Sequence, residues 1–294
     1  DRSHVRVLPD DLANQIAAGE VVERPMSVVK ELVENSIDAK ATRILVEVEQ
    51  GGKKLIRVSD NGLGMSPEDA RLSFSRHATS KISSSSDLAK IVSLGFRGEA
   101  LPSIASVSKI NMTTSNNEHH GGTQIVLEGG KLAQEKEIAC QQGTTIEVSQ
   151  LFYNTPARKK FLKGDSTESS HITQTVTQRA LAYPQIHFTL INNGRKVIDT
   201  LQTDQNLYRI AELFGSELTK ELVQVNTQVG LYCLTGFISS PVYSRSSRSA
   251  QYFYVNSRFV RDKVILHSTQ QGYNHLLPKG QHPASFLFLS MDPK

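Results

Sequence analysis

Residues 25–39, PMSVVKELVENSIDA, constrain this chain more than any other stretch. Pro25 suits the first turn of a helix, where its missing N–H is not needed. At 100° per residue Val29, Leu32, Val33, Ser36 and Ile37 fall on one side, which predicts a helix with a core-facing stripe. Glu31, Asn35 and Asp38 follow at i, i+4, i+7 on the opposite side, so a carboxylate, an amide oxygen and a second carboxylate stand in a row. Hard oxygens in a row suit Mg²⁺, which also takes waters and phosphates, and a glutamate there can deprotonate an attacking water. An ordinary solvated helix face carries the same residues.

Two alternating segments, ATRILVEVEQ and KKLIRVSDNG, flank Gly51-Gly52 and predict a hairpin with a tight glycine turn. Helical periodicity is also expected over 11–23, 66–76, 98–106, 168–183, 206–214 and 260–275. Strands are expected near 107–115, 122–128, 144–149, 229–238, 250–256 and 284–290, and INNGRK at 191–196 signals a second hairpin. The pattern restarts near residue 200, so the expected domains are 1–200 and 201–294. SKISSSSD at 80–87 and YSRSSRSAQ at 243–251 read as loops, the first a candidate lid.

Composition removes several classes. Gly and Pro together make about a tenth of the 294 residues, too few for collagen-like or low-complexity chains. The two cysteines, Cys140 and Cys233, lack metal or redox spacing, and the nine histidines form no metal motif. No targeting peptide and no run of eighteen apolar residues occurs, so a soluble, cytoplasmic protein without a membrane partner is expected. Residues 1–150 hold 17 Lys and Arg against 20 Asp and Glu, and residues 151–294 hold 16 against 9. The basic excess lies in the second half, which suits a polyanion partner.

Two further glycine-rich turns can approach a ligand. Asp60-Asn61-Gly62-Leu63-Gly64-Met65 ends a strand, where an ionised Asp can accept from an exocyclic amino group and the glycines admit close backbone approach. Gly95-Phe96-Arg97-Gly98-Glu99-Ala100-Leu101 precedes a helix, whose freed N–H groups suit phosphate. Each is also an unremarkable turn. No GxxxxGK[ST] occurs, and the Gly62-Leu63-Gly64 turn lacks the third glycine of a dinucleotide fingerprint.

In sequence order, ExxxN, DxGxG, GxRGEAL and Gly143-Thr144-Thr145 resemble the GHKL ATPase superfamily. Within it, LANQIAAGEVVERPMSVVKELVENSIDA at 12–39, RHATSKI at 76–82, SLGFRGEALPSIASVS at 93–108 and LFYNTPARKKFL at 151–162 resemble the MutL mismatch-repair family rather than topoisomerase-type ATPases. The resemblance implies an α+β fold: a GHKL-type sandwich, a mixed sheet backed by helices, followed by a smaller ribosomal-protein-S5-like α/β domain. It implies ATP and Mg²⁺ as ligands, with Glu31 as general base and Asn35 holding Mg²⁺. Asp60 would take the adenine amino group with help from Thr144, Gly62, Gly64 and Met65 would line that pocket, and Asp38 would be among the residues that bind the nucleotide. A lid over about 76–97 would bring Thr79, Ser80, Lys81, Leu94, Gly95, Phe96 and Arg97 to the phosphates, beside Gly98, Glu99, Ala100 and Leu101.

The same resemblance implies a homodimer paired through an N-terminal arm, residues 1–20, when ATP binds, and hydrolysis that resets it. Implied partners are DNA, the mismatch-recognition protein MutS, and a downstream nuclease and helicase. In the family a lysine from a VNVHPxK segment reaches the γ-phosphate. This sequence ends at Lys294 before such a segment, so weak hydrolysis is expected, and a nucleotide-sensing scaffold with negligible turnover is the alternative. Arg245, Arg248, Arg258, Arg261 and Lys263 lie among Tyr243, Tyr252, Phe253, Tyr254 and Phe259, a basic and aromatic stretch that suits sequence-neutral DNA binding. About half of those aromatics are expected in the core.

Overall fold

The computed structural model describes residues 18–75, 78, 98–117 and 121–292. The chain forms two compact units. One runs to Val176 and takes in Ile186–Asp199; the other comprises Thr177–Gln185 and the residues from Thr200 on.

In the first unit a helical turn at 18–21 precedes α1 (Pro25–Asp38), β1 (Arg43–Glu49) and β2 (Leu55–Asp60). Then come α2 (Pro67–Leu72), α3 (Ala100–Ser106), β3 (Lys109–Ser115), β4 (Gly122–Glu128), β5 (Lys131–Ile138) and β6 (Gly143–Ser149). After α4 (Pro156–Phe161) and α5 (Asp165–Ala182), the hairpin of β7 (His187–Asn192) and β8 (Arg195–Thr200) completes the set. The strands make one eight-stranded mixed sheet in the order β5-β4-β3-β6-β2-β1-β7-β8, with β1 antiparallel to β2 and parallel to β7.

The expected hairpin at Gly51-Gly52 forms because both glycines adopt left-handed backbone, φ 65° and 81°. A Cβ on Gly51 would also stand 2.8 Å from the Asp165 carbonyl oxygen at the start of α5. Period-two alternation then decides which face of the sheet is covered. Ile44, Val46, Val48, Ile56, Val58, Ile110, Met112, Ile146, Val148, Phe188 and Leu190 are buried on one face, against the helices. The other face is polar, and Arg57 bridges Glu47 and Glu147 across three strands at 2.8 and 2.7 Å.

One register matters for everything that follows. Ile44, Asp60, Thr144, Thr114 and Thr123 stand side by side across β1, β2, β6, β3 and β4. By alternation they belong to the inner, otherwise aliphatic face. The core therefore ends in a carboxylate and three hydroxyls along one rim of the sheet.

The structure corrects several sequence expectations. β5 was not anticipated: KLAQEKEI has no apolar alternation because it is an exposed edge strand, set by pairing with β4 and not by burial. The helix expected over 66–76 is the shorter α2. On α1, Val28 and Glu34 are buried as well as the anticipated stripe, so the helix is covered on more than one side. The expected helix over 11–23 falls largely, and the serine loop at 80–87 wholly, outside the described residues.

The second unit holds the last turns of α5, then α6 (Asn206–Phe214), α7 (Ser216–Lys220), β9 (Leu222–Val229) and β10 (Tyr232–Ser239). It continues through β11 (Ser244–Arg245), β12 (Gln251–Val255), β13 (Arg258–Val260), α8 (Lys263–Tyr273), β14 (His282–Pro283) and β15 (Ser285–Ser290). Five strands pair in the order β13-β12-β15-β10-β9. Short β11 pairs with β14, so part of the stretch read as a loop at 243–251 is strand. β9 and α7 were likewise not anticipated. The core gathers Leu181, Ile210, Leu218, Tyr252, Tyr254 and Phe286, with Tyr252 stacked on Phe286 at 5.7 Å and Tyr254 on Phe288 at 5.0 Å. The fully buried Arg209 donates to the carbonyls of Ala180, Tyr183, Pro184 and Leu201 and pairs with Glu212 at 3.2 Å.

Candidate functional site

The rim of the inner face organises the candidate site. Asp60 ends β2, and its Oδ2 accepts from Ser36 Oγ on α1 at 2.7 Å, while Oδ1 accepts from the Gly62 N–H at 2.9 Å. Burial pushes the Asp60 carboxyl above its ordinary pKa, opposed by the hydrogen bonds from Ser36 and from the Gly62 and Thr144 N–H groups. A carboxylate half-desolvated at the end of an aliphatic face is poised to accept one more donor.

The glycines of DNGLG are required by close approach. A Cβ on Gly62 would stand 2.6 Å from the Ala39 carbonyl oxygen, just past the end of α1. Gly64 has φ +67°, and a Cβ there would collide with the Ser115 carbonyl oxygen. Next to it the Met65 N–H donates to Thr114 Oγ1 at 3.0 Å, and Thr114 Oγ1 lies 2.9 Å from Thr144 Oγ1. Asp60, Gly62, Gly64, Met65 and Thr144 thus form one corner. Asn61 serves the fold: its Oδ1 accepts from the Thr42 and Arg43 N–H groups at 3.0 and 2.8 Å, fixing the start of β1.

On α1, Glu31, Asn35 and Asp38 line a half-buried stripe on the helix that supplies Ser36. This is not a freely solvated face. Glu31 pairs with Lys30 at 2.7 Å, and Lys30 also reaches the buried Glu34 at 3.1 Å. The Lys30 ammonium is raised above its ordinary pKa: partial burial lowers it, but the Glu31 and Glu34 charges and hydrogen bonds outweigh that.

Gly98, Glu99, Ala100 and Leu101 open α3 and are half-buried. Gly98 has φ +61° and backs onto the Ala78 carbonyl oxygen. Thr79, Ser80, Lys81, Leu94, Gly95, Phe96 and Arg97 lie outside the described residues. Among the described residues no group of three or more His, Cys, Asp and Glu side chains is arranged to hold a metal unaided. No described helix is long and apolar enough to cross a membrane.

Ser36 and Thr114 were missed as site residues. Ser36 interrupts an apolar stripe, a signal that was present but read as core; Thr114 shows only through strand register. A second concavity of about 690 Å³ lies over the polar face of the sheet, lined by Arg43, Ser59, Thr145, His187, Thr189 and Lys196. Lys196, with His187, holds the nearby Asp199 carboxyl down to about 2. Asp60, Asn61 and Thr144 also line this concavity, so it borders the candidate site at the end of β2.

Of the basic residues in the second unit, Arg248, Arg258, Arg261 and Lys263 are exposed, and Arg245 is tied to Tyr243 Oη at 2.7 Å. The aromatics between them are more internal than expected. Tyr252, Phe253 and Tyr254 are buried, and Tyr243 and Phe259 pack against the core.

Comparison with known proteins accords with this architecture. Residues 23–156 match the family described as histidine kinase-, DNA gyrase B- and HSP90-like ATPase, and residues 210–294 match the C-terminal domain of DNA mismatch repair protein. The chain is 50% identical over 291 residues to the DNA mismatch repair protein MutL of Syntrophotalea carbinolica, covering 98% of this chain and 46% of that protein. It is 47% identical over 291 residues to MutL of Symbiobacterium thermophilum, again covering 46% of that protein. The chain therefore spans about half the length of the curated relatives it matches. Among solved structures, the Aquifex aeolicus MutL ATPase domain complexed with ADP aligns with TM-score 0.72 at 30% identity, covering 93% of this chain and 94% of that one. The N-terminal domain of a DNA repair protein aligns with TM-score 0.81 at 29% identity, covering 98% and 91%. The expected mixed-sheet sandwich and second α/β domain are the observed ones, and the chain belongs to the MutL family of DNA mismatch repair proteins.

Proposed function

We propose that this chain binds and slowly hydrolyses ATP with Mg²⁺ and uses the cycle as a DNA mismatch-repair clamp. The observation that carries this is the Asp60 carboxylate, held at the inner rim by Ser36 and Gly62 beside the Glu31, Asn35 and Asp38 stripe. Asp60 accepts the adenine amino group, Thr144 assists, and Gly62, Gly64 and Met65 let the base approach the backbone. Glu31 takes the proton of the water that attacks the γ-phosphate. The donor set fits a shared ion: one amide oxygen, from Asn35, leaves most positions to phosphate and water, as Mg²⁺ prefers. Bound there, Mg²⁺ supplies charge stabilisation on the phosphate oxygens. Asp38 lies on the same stripe, and Gly98, Glu99, Ala100 and Leu101, with the lid residues Thr79, Ser80, Lys81, Leu94, Gly95, Phe96 and Arg97, close over the phosphates.

ATP binding that favours a paired state would assemble a homodimer through the N-terminal arm, since a ligand with equal affinity for both states shifts nothing. Arg245, Arg248, Arg258, Arg261 and Lys263 meet DNA phosphates, and the paired clamp couples MutS to a downstream nuclease and helicase. The free thiols Cys140 and Cys233 suit a reducing cytoplasm as the place of action. One observation favours a second reading, a sensor with negligible turnover: Glu31 is already engaged by Lys30 at 2.7 Å. Equilibrium binding of ATP and ADP to the wild type and Asp60→Asn tests the site. Binding in the wild type and a loss of at least about tenfold in the variant is expected, and equal binding by both overturns the assignment of Asp60.

A further inference from the structure

The turn after β6 does more than connect it to α4. Gln150 and Phe152 hold left-handed backbone, φ 52° and 63°, a conformation a buried aromatic rarely adopts. That strain is fixed by bonds to the end of α3. The Phe152 N–H donates to the Val107 carbonyl at 2.7 Å, and Asn154 Nδ2 donates to the Ser106 carbonyl at 2.8 Å. The turn therefore caps the C-terminal end of α3, the helix whose other end opens with Gly98–Leu101.

The same turn grips the entry to α1. The Arg158 guanidinium lies over the Phe152 ring at 5.8 Å and fills the space that a side chain at Gly19 would take, with Cζ 3.0 Å from the position of that Cβ. Gly19 sits in the helical turn at 18–21 without a left-handed φ. Glycine is a poor helix former, so backbone conformation does not explain it, whereas the guanidinium does. Arg158 Nη1, Asn154 Oδ1 and Thr155 Oγ1 are moreover buried without hydrogen-bond partners among the described residues, an arrangement that does not favour stability.

We propose that Arg158 is a positioning residue that fastens the entry to α1, through Phe152, to the cap of α3, so that Glu31 and the start of α3 keep one spacing. This rests on the nucleotide role proposed above. The clamp lies at the end of β6 away from Thr144 and Asp60, so it acts on catalytic geometry and leaves the adenine corner alone.

Gly19→Ala, Arg158→Ala and the double variant test it. A methyl at Gly19 displaces the flexible end of Arg158 and leaves the fold in place, so both single variants break the same contact. In nucleotide-free protein, hydrogen exchange is expected to quicken in 18–24 and in 100–106 for each single variant, with no further increase in the double. Faster exchange confined to 150–161, or additive effects, would overturn the clamp even if the chain hydrolysed no ATP. In turnover, each single variant is expected to lower kcat about tenfold while KM for ATP and the Kd for ADP stay within about twofold. An equal loss in ADP binding, or an unchanged kcat in a wild type that hydrolyses ATP through Glu31, would overturn it. Failure of wild-type hydrolysis alone would count against the nucleotide role and leave the exchange result to judge the clamp.

Discussion

Asp60 is held in a state that costs stability. Its folded pKa lies above the unfolded value of 3.8, so the native state binds the extra proton between those two values, and stability falls as pH rises through the folded pKa. At neutral pH the charged form is retained against burial. Asp60→Asn is therefore predicted to leave Tm unchanged or raise it by a few degrees at pH 7, with the difference shrinking below pH 4, as thermal unfolding across pH would measure. Its nucleotide binding should fall at neutral pH, with the deficit shrinking as acidification protonates Asp60 in the wild type. In the wild type, affinity for ATP should weaken on acidification at a pH above the ordinary aspartate value, because the protonated carboxyl loses its capacity as an anionic acceptor. A variant both less stable and fully able to bind would contradict this account.

At the scale of elements, what was legible in the sequence and what was not divide by cause. The α1 stripe, the Gly51-Gly52 hairpin and the position of Asp60 at a strand end were legible because local periodicity and glycine chemistry specify them. β5 and β9 were not, since KLAQEKEI and LVQVNTQV are exposed edge strands held by hairpin pairing with β4 and β10, and no buried face imposes apolar alternation on them. Ser36 was misplaced for a related reason: its partner Asp60 is 24 residues away and appears only once α1 lies on β2. Arg209 was invisible too, because four of its acceptors are backbone carbonyls at the end of α5 and just after β8. Burial lowers its pKa, opposed by Glu212. Arg209→Met would strand those carbonyls and Glu212, so a loss of about 3–5 kcal/mol from the second unit is expected in denaturant unfolding. A loss below about 1 kcal/mol would mean that the guanidinium is dispensable.

For the whole molecule, the division of charge is the feature that composition reveals and the fold refines. With Tyr252, Phe253 and Tyr254 buried, the basic stretch offers cations and few free rings, so stacking on bases contributes little. Phosphate contact remains, and it carries a signature: Arg261→Glu and Lys263→Glu should each weaken binding to DNA of any sequence and flatten the slope of log K against log salt by about 1. Unchanged slopes in both variants would remove those residues from the DNA surface. Glu31, on the α1 stripe, is the residue on which the proposed hydrolysis, as opposed to nucleotide sensing, depends. Steady-state ATP hydrolysis by the wild type and Glu31→Ala, with nucleotide binding measured on both, tests that dependence most directly. Slow, Mg²⁺-dependent turnover that falls by about 100-fold or more in Glu31→Ala while binding persists is expected; turnover at the wild-type rate in Glu31→Ala would mean that Glu31 is not the base.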